Sequence, residues 1–193
     1  MNAPLDLKLD PATFLHWVQG REGRYELEGG HVVQQMTGGS RNHSIVAGRF
    51  TKAFNAVLDE TLWNVMAADL AVTLGDTTRF PDVLVERAGG DGKALESAEP
   101  VLLIEVLSPS SVARDLNIKV AEYLSLPSLE AYIVASQDEP IVWIWQRGID
   151  GTRDFPKQPV EINGRDQAID LRFFGFAIAM QSLYRGIGTA PQS

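Results

Sequence analysis

Glu105 sits in the middle of Val101-Leu102-Leu103-Ile104-Glu105-Val106-Leu107, where every neighbour is apolar. A run of this kind reads as a buried central strand, and an unpaired carboxylate in such a place is strongly unfavourable. A lysine, an arginine or a metal must therefore face it. Asp82 follows Pro81 and opens Asp82-Val83-Leu84-Val85, an earlier apolar strand. If the two strands pair, both acids face one point; taken alone, an Asp after Pro is an ordinary turn or strand-start residue. Lys119 lies four residues after Asp115, on one helical face with it, and beside the apolar stripe through Leu116 and Tyr123. The spacing fits either a surface ion pair or an ammonium carried over the sheet to the two acids.

The elements that must place these groups follow from periodicity and punctuation. Asp10-Pro11 before Phe14, Leu15 and Val18 predicts a short helix ending near Gly20. Strands are predicted over 25–27 and 31–36, joined by a tight turn at Gly29-Gly30. Val46, Phe50, Ala53, Phe54 and Val57 recur at helical spacing and predict an amphipathic helix over about 42–58. Strands follow over 63–66, 70–74, 82–86 and 101–107. Leu116, Val120, Tyr123 and Leu124 mark a second helix, beginning after Ser110-Ser111 and stopped by Pro127. Strands over 131–135 and 141–146 come next, then edge strands over 160–162 and 168–171 and a short helix over 176–184. No repeat or linker divides the chain, which reads as one α/β unit over residues 1–193.

Composition narrows the function classes. The chain has 193 residues, 45% of them hydrophobic, with no cysteine and a net charge of −8. Disulfides, thiol nucleophiles and thiolate metal sites are excluded, and a cytoplasmic location is expected. No apolar stretch approaches the ~20 residues of a membrane span. The acidic balance argues against a protein that coats nucleic acid through a broad basic surface. It leaves room for catalysis on phosphodiesters, where carboxylates gather around a metal and arginines hold the substrate locally.

One ordered set of segments resembles a known family. Pro81-Asp82, Ile104-Glu105-Val106-Leu107-Ser108-Pro109-Ser110, Arg114-Asp115 with Lys119 and Tyr123, and Glu130-Ala131-Tyr132-Ile133-Val134 are similar to the Uma-type restriction endonucleases of bacteria. That family is a branch of the PD-(D/E)XK nuclease superfamily. Arg24-Tyr25-Glu26-Leu27-Glu28-Gly29-Gly30 and His43 extend the likeness, which covers about residues 25–147. It implies an α/β (α+β), restriction endonuclease-like fold, a mixed β-sheet core flanked by helices, with Asp82 and Glu105 as the acids that hold a divalent metal. Leu107 stands where the E-x-K element has its lysine, and Lys119 on the following helix is the candidate to replace it.

Mg²⁺ or Mn²⁺ suits this donor set, because a hard cation takes oxygen ligands and keeps several waters; a strand carbonyl near Val106 could complete it. Glu26 is either a further carboxylate of the cluster or an exposed strand residue. His43 either holds a phosphate or orients a catalytic acid, or else caps and packs its helix. Gly38-Gly39-Ser40 before a helix is an anion site or a flexible turn; with no Gly-Lys-Ser/Thr after it, it is not a P-loop. Trp143 and Trp145 either stack bases or fill a core or dimer interface. The resulting expectation is a metal-dependent endonuclease acting on DNA, possible as a homodimer. The alternative is a catalytically silent module of the same fold that binds a protein or nucleic-acid partner.

Overall fold

The computed structural model of the protein describes residues 3–35, 39–107, 114–148 and 153–188. Its centre is a six-stranded mixed sheet of order β11-β10-β9-β8-β7-β4. Here β4 is Trp63–Ala67, β7 Val83–Arg87, β8 Pro100–Leu107, β9 Ala131–Ser136, β10 Ile141–Gln146 and β11 Val160–Asn163. The strand β8 pairs antiparallel with β7 and parallel with β9. All eight of its residues are buried, as the continuous apolar run demands.

Each face of this sheet is covered. On one side, Val46, Phe50 and Phe54 of helix α2 (Arg41–Asn55) pack on Val83, Val85, Leu102, Ile104, Val106 and Ile133. On the other, Tyr123 of helix α3 (Lys119–Tyr123) packs with Leu84, Leu103, Leu107, Tyr132 and Val134. A second, five-stranded antiparallel sheet has the order β1-β3-β2-β6-β5. It comprises β1 (Ala3–Lys8), β2 (Arg24–Glu28), β3 (His31–Gln35), β5 (Val72–Leu74) and β6 (Thr77–Arg79). Leu27 and Val32 of this sheet enclose Phe14 of helix α1 (Pro11–Val18), whose N-cap Asp10 accepts from the Thr13 amide at 3.0 Å.

Several sequence expectations need correction. The 176–184 segment is not a helix throughout: Phe176–Ala179 is strand β13, paired with β12 (Ala168–Leu171), and only Met180–Leu183 turns as helix α4. The alanines favour a helix, but the pairing of Ile178 with buried Ile169 decides the conformation. The expected 70–74 strand is shorter and forms a hairpin with β6, a strand too brief for periodicity to reveal. Its turn is at Gly75, whose φ of +62° suits glycine. Val57 lies beyond the end of α2 and is 57% exposed, so it does not extend the helical stripe. Trp145 is buried against Tyr132, and Trp143 gives its indole N–H to Glu161 on β11 at 3.1 Å. Among the described residues no helix is long and apolar enough to cross a membrane. Met36, Gly38 and the Ser108 to Ser111 stretch, on which some expectations fell, lie outside the described residues.

The end of the described chain is tied back by Tyr184, whose hydroxyl donates to the carbonyls of Ser136 and Ile141 at 2.8 and 3.2 Å. Burial pushes its phenol above the ordinary value of 10.0. The folded state therefore keeps a proton that the unfolded state releases above about pH 10, and the contribution of Tyr184 is lost as pH rises through that range. Tyr184→Phe is expected to be about 1 kcal/mol less stable than wild type at neutral pH. The gap should narrow above pH 10, because only wild type carries the titrating phenol; urea melts at pH 7, 9 and 10.5 measure it.

Candidate active site

The antiparallel register sets Val83 across from Ile104, so one step outward Asp82 stands beside Glu105. Strand pairing thus places two acids side by side at the edge of the apolar layer. Both are buried, at 8% and 4% exposure. Asp82 Oδ2 accepts the Val106 N–H at 2.8 Å and lies 3.1 Å from His43 Nε2. Burial alone would raise its pKa. The hydrogen bond and charge of His43, the Val106 amide and the charge of Lys119 outweigh that, and hold the Asp82 carboxyl below its usual value. His43 is delivered by the first turn of α2, where the Ser40 hydroxyl caps the His43 amide at 3.1 Å and donates to Gln137 at 2.9 Å. A Cβ at Gly39 would come within 3.0 Å of His43 Nδ1, so the glycine leaves the imidazole its place. Of the three roles open to His43, the contact with Asp82 is the one that an acid-orienting residue would make.

Lys119 is the cation that Glu105 requires. Its Nζ is 2.7 Å from Glu105 Oε1 and 3.5 Å from Glu26 Oε1, with only 7% of the side chain exposed. It opens α3 directly after a π-helical turn at Arg114–Ile118, a widened geometry that recurs at functional sites. The side chain of Asp115 lies outside the described residues, so its expected pairing with Lys119 has no counterpart here. One turn further along α3, Tyr123 donates its hydroxyl to Glu105 Oε1 at 3.0 Å. Burial, then the charges of Glu105 and Glu26, push this phenol well above its ordinary value, so it remains a donor. Glu26 is buried, not an exposed strand residue, and its Oε2 accepts from Gln35 at 2.9 Å.

Sequence reasoning missed Arg79. It is 1% exposed, and its NH1 reaches Glu26 Oε2 and Glu28 Oε1, each at 2.7 Å. Its Nε and NH2 hold Glu122 at 2.9 and 2.8 Å. Burial works against the guanidinium charge, but Glu122, Glu26 and Glu28 outweigh it and raise the pKa above the ordinary arginine value. A signal was present. Glu26 and Glu28 lie on one face of a strand whose other face carries core residue Leu27, and two like charges so placed call for a cation. Leu27 pairs with Thr78, which brings Arg79 across from Glu26.

The donors fit a hard divalent cation held by Asp82 and Glu105, with water completing the shell. Both contacts of Asp82 named above fall on Oδ2, and those of Glu105 on Oε1. Carried one step past Asp82, the register sets Pro81 across from Val106; proline has no N–H to occupy the Val106 carbonyl. Among the described residues no three His, Asp or Glu side chains converge as a closed cage, so water would supply most of the ligands.

Comparison with known proteins follows the same lines. The model of the Uma2 family, described as "Putative restriction endonuclease", matches residues 11–181. The uncharacterized protein slr1290 of Synechocystis sp. is 29% identical over 183 residues, covering 93% of each chain. A second Synechocystis protein, the uncharacterized sll1609, is 23% identical over 134 residues, or 67% of this chain and 75% of that protein. Among solved structures, a "putative nuclease belonging to DUF820" from Anabaena variabilis ATCC 29413 matches with a TM-score of 0.70 at 16% identity. The match covers 88% of this chain and 94% of that one. The fold is the restriction endonuclease-like mixed sheet with flanking helices.

In metal-free buffer, Glu105→Gln should lose about 1.5–3 kcal/mol of stability, the usual worth of a hydrogen bond to a charged group. The change removes the carboxylate charge 2.7 Å from Lys119 Nζ, while Glu26 stays at 3.5 Å. Urea denaturation in EDTA checks this; an unchanged midpoint would mean that the Lys119–Glu105 pair does not hold the fold.

Proposed function

The chain belongs to the Uma2 family, described as "Putative restriction endonuclease", and from that premise we propose that it hydrolyses DNA phosphodiester bonds with the help of a divalent metal. The observation that carries this reading is the approach of Lys119 Nζ to 2.7 Å from Glu105, at the strand position beside Asp82. It supports two acids and an ammonium in one cluster although Leu107 leaves the usual lysine position apolar.

Asp82 and Glu105 are the groups that would hold Mg²⁺ or Mn²⁺, with the Val106 carbonyl as a further candidate ligand. When bound, such an ion polarises a phosphate and lowers the pKa of water. His43 keeps Asp82 turned toward the cluster through its contact with Oδ2. Tyr123 and Lys119 fix Glu105 at a single oxygen. Lys119, as an ammonium, orients the attacking water or offsets the charge that grows on the phosphoryl oxygens. Glu26 holds the far side of the ammonium, a supporting role short of contact with substrate.

A second reading, a silent module that binds a protein or nucleic-acid partner, draws on one observation: Glu105 and Asp82 already have donors without any metal. Titration calorimetry with Mg²⁺ and Mn²⁺, paired with plasmid cleavage, separates the two. The nuclease reading expects metal binding by wild type and its loss, together with cleavage, in Asp82→Ala and Glu105→Ala. Lys119→Ala should bind metal within a few-fold of wild type but cleave ~10²–10⁴ times more slowly. Absence of both metal binding and cleavage in wild type would leave the silent module.

A further inference from the structure

Arg79 has no part in the chemistry above, yet it is the bulkiest of the fully buried side chains among the described residues. A guanidinium withdrawn from water needs its N–H groups paired, and a single bidentate carboxylate neutralises it. Glu122 already supplies that pairing through both of its oxygens. Two further carboxylates, Glu26 and Glu28, take the N–H groups of NH1 and bring more negative charge than one guanidinium neutralises.

The direction of the surplus is informative. Glu26 accepts from Arg79 at Oε2 and approaches Lys119 with Oε1, so one carboxylate links the two cations. Glu122 lies three residues after Lys119 on α3, so the guanidinium also grips the helix that carries the lysine. The contacts form a closed circuit from Glu122 through Arg79, Glu26 and Lys119 back to α3, with Glu105 touching it at the ammonium. Arg79 ends β6, and the chain then runs through Phe80 and Pro81 to Asp82. One short segment therefore governs both sides of the cluster.

We propose that Arg79 is a positioning residue: through Glu26 and Glu122 it holds the Lys119 ammonium on Glu105, beside Asp82, without touching substrate or metal. The inference rests on the reading of Lys119 as a working group of the nuclease. A merely structural Arg79 would affect stability alone.

The test uses the full chain, with each variant first shown to be folded by circular dichroism and assayed well below its melting temperature. Arg79→Lys keeps the charge but loses the fork that grips Glu26 and Glu122 together. Glu122→Gln, at a partly exposed carboxylate, loosens only the helix grip and serves if Arg79→Lys does not fold. The first readout is the ¹H–¹⁵N signal of the Lys119 ammonium, assigned by its absence in Lys119→Arg. A buried, hydrogen-bonded ammonium exchanges slowly, so wild type should show the signal, and either variant should broaden or shift it. An unchanged signal in a folded variant would overturn the proposal.

The second readout is single-turnover cleavage at saturating Mg²⁺. Arg79→Lys should cleave ~10²-fold more slowly, the scale of a misplaced group, with Mg²⁺ affinity within a few-fold of wild type. Combined with Lys119→Ala it should cause no further loss, because both changes remove the same contribution. Multiplicative losses in the double variant would refute a role through Lys119. If wild type does not cleave DNA at all, the nuclease reading fails, and the ammonium signal still decides whether Arg79 positions the lysine.

Discussion

A carboxylate in the middle of a buried strand constrains everything around it. Glu105 is paired with Val134 of β9 and follows Ile104, which is paired with Val83 of β7, so its backbone cannot withdraw to let the side chain reach water. The counter-charge has to be brought to it. Helix α3 does so, setting Lys119 and Tyr123 one turn apart on the same oxygen. The parallel step from β8 to β9 contains that helix as its crossover, as a parallel connection requires. The topology and the ion pair are thus linked: the connection that makes the sheet mixed also carries the cation to its centre.

Neutralising Glu105 moves the electrostatic problem outward. Lys119 is itself buried, and a second acid, Glu26, borders it from the five-stranded sheet. Glu26 then needs Arg79, and Arg79 is shared with Glu28 and Glu122. The carboxylates lie progressively nearer the surface, from Glu105 at 6% side-chain exposure through Glu26 at 8% to Glu122 at 21% and Glu28 at 30%. The network ends where solvent can screen the remaining charge. Because its members come from β2, β6, β8 and α3, it also couples the two sheets through polar contacts, beside the apolar contact that Val72 and Leu74 of β5 make with the core around Leu84 and Leu103.

Much of this arrangement is legible in the amino-acid sequence. The apolar run of β8 identifies Glu105 as buried, helical spacing puts Lys119 beside Tyr123, and the Pro81-Asp82 step marks a strand entrance. Arg79 and β6 are not legible, for a physical reason. A three-residue strand is too short to show a period, and Thr77 and Thr78 give no apolar cue although both are buried. Their burial depends on pairing with β5 and β2, contacts that local pattern does not encode. The helix expected over 176–184 fails similarly, since the partner that makes Phe176–Ala179 a strand lies in β12. The π-helical turn before Lys119 is also a response to packing, and spacing alone could not reveal it.

The two acids differ in how their backbones are held. Glu105 lies within the ladder to β9, paired with Val134, and one step beyond the last β7 pair. Asp82 stands just before β7 begins, after a proline that cannot donate to the ladder, and its carbonyl accepts from Ala68 at 3.1 Å. Its side chain is therefore set by donors from other elements, the Val106 amide on β8 and His43 on α2. Both side chains are thus held by donors from other elements, Glu105 by Lys119 and Tyr123 of α3, so each carboxylate would have to exchange or share a donor in taking up the proposed cation. A hard cation that keeps most of its water asks little of the protein beyond one oxygen from each acid, so such an exchange would leave the other oxygen of each carboxylate to its present donors.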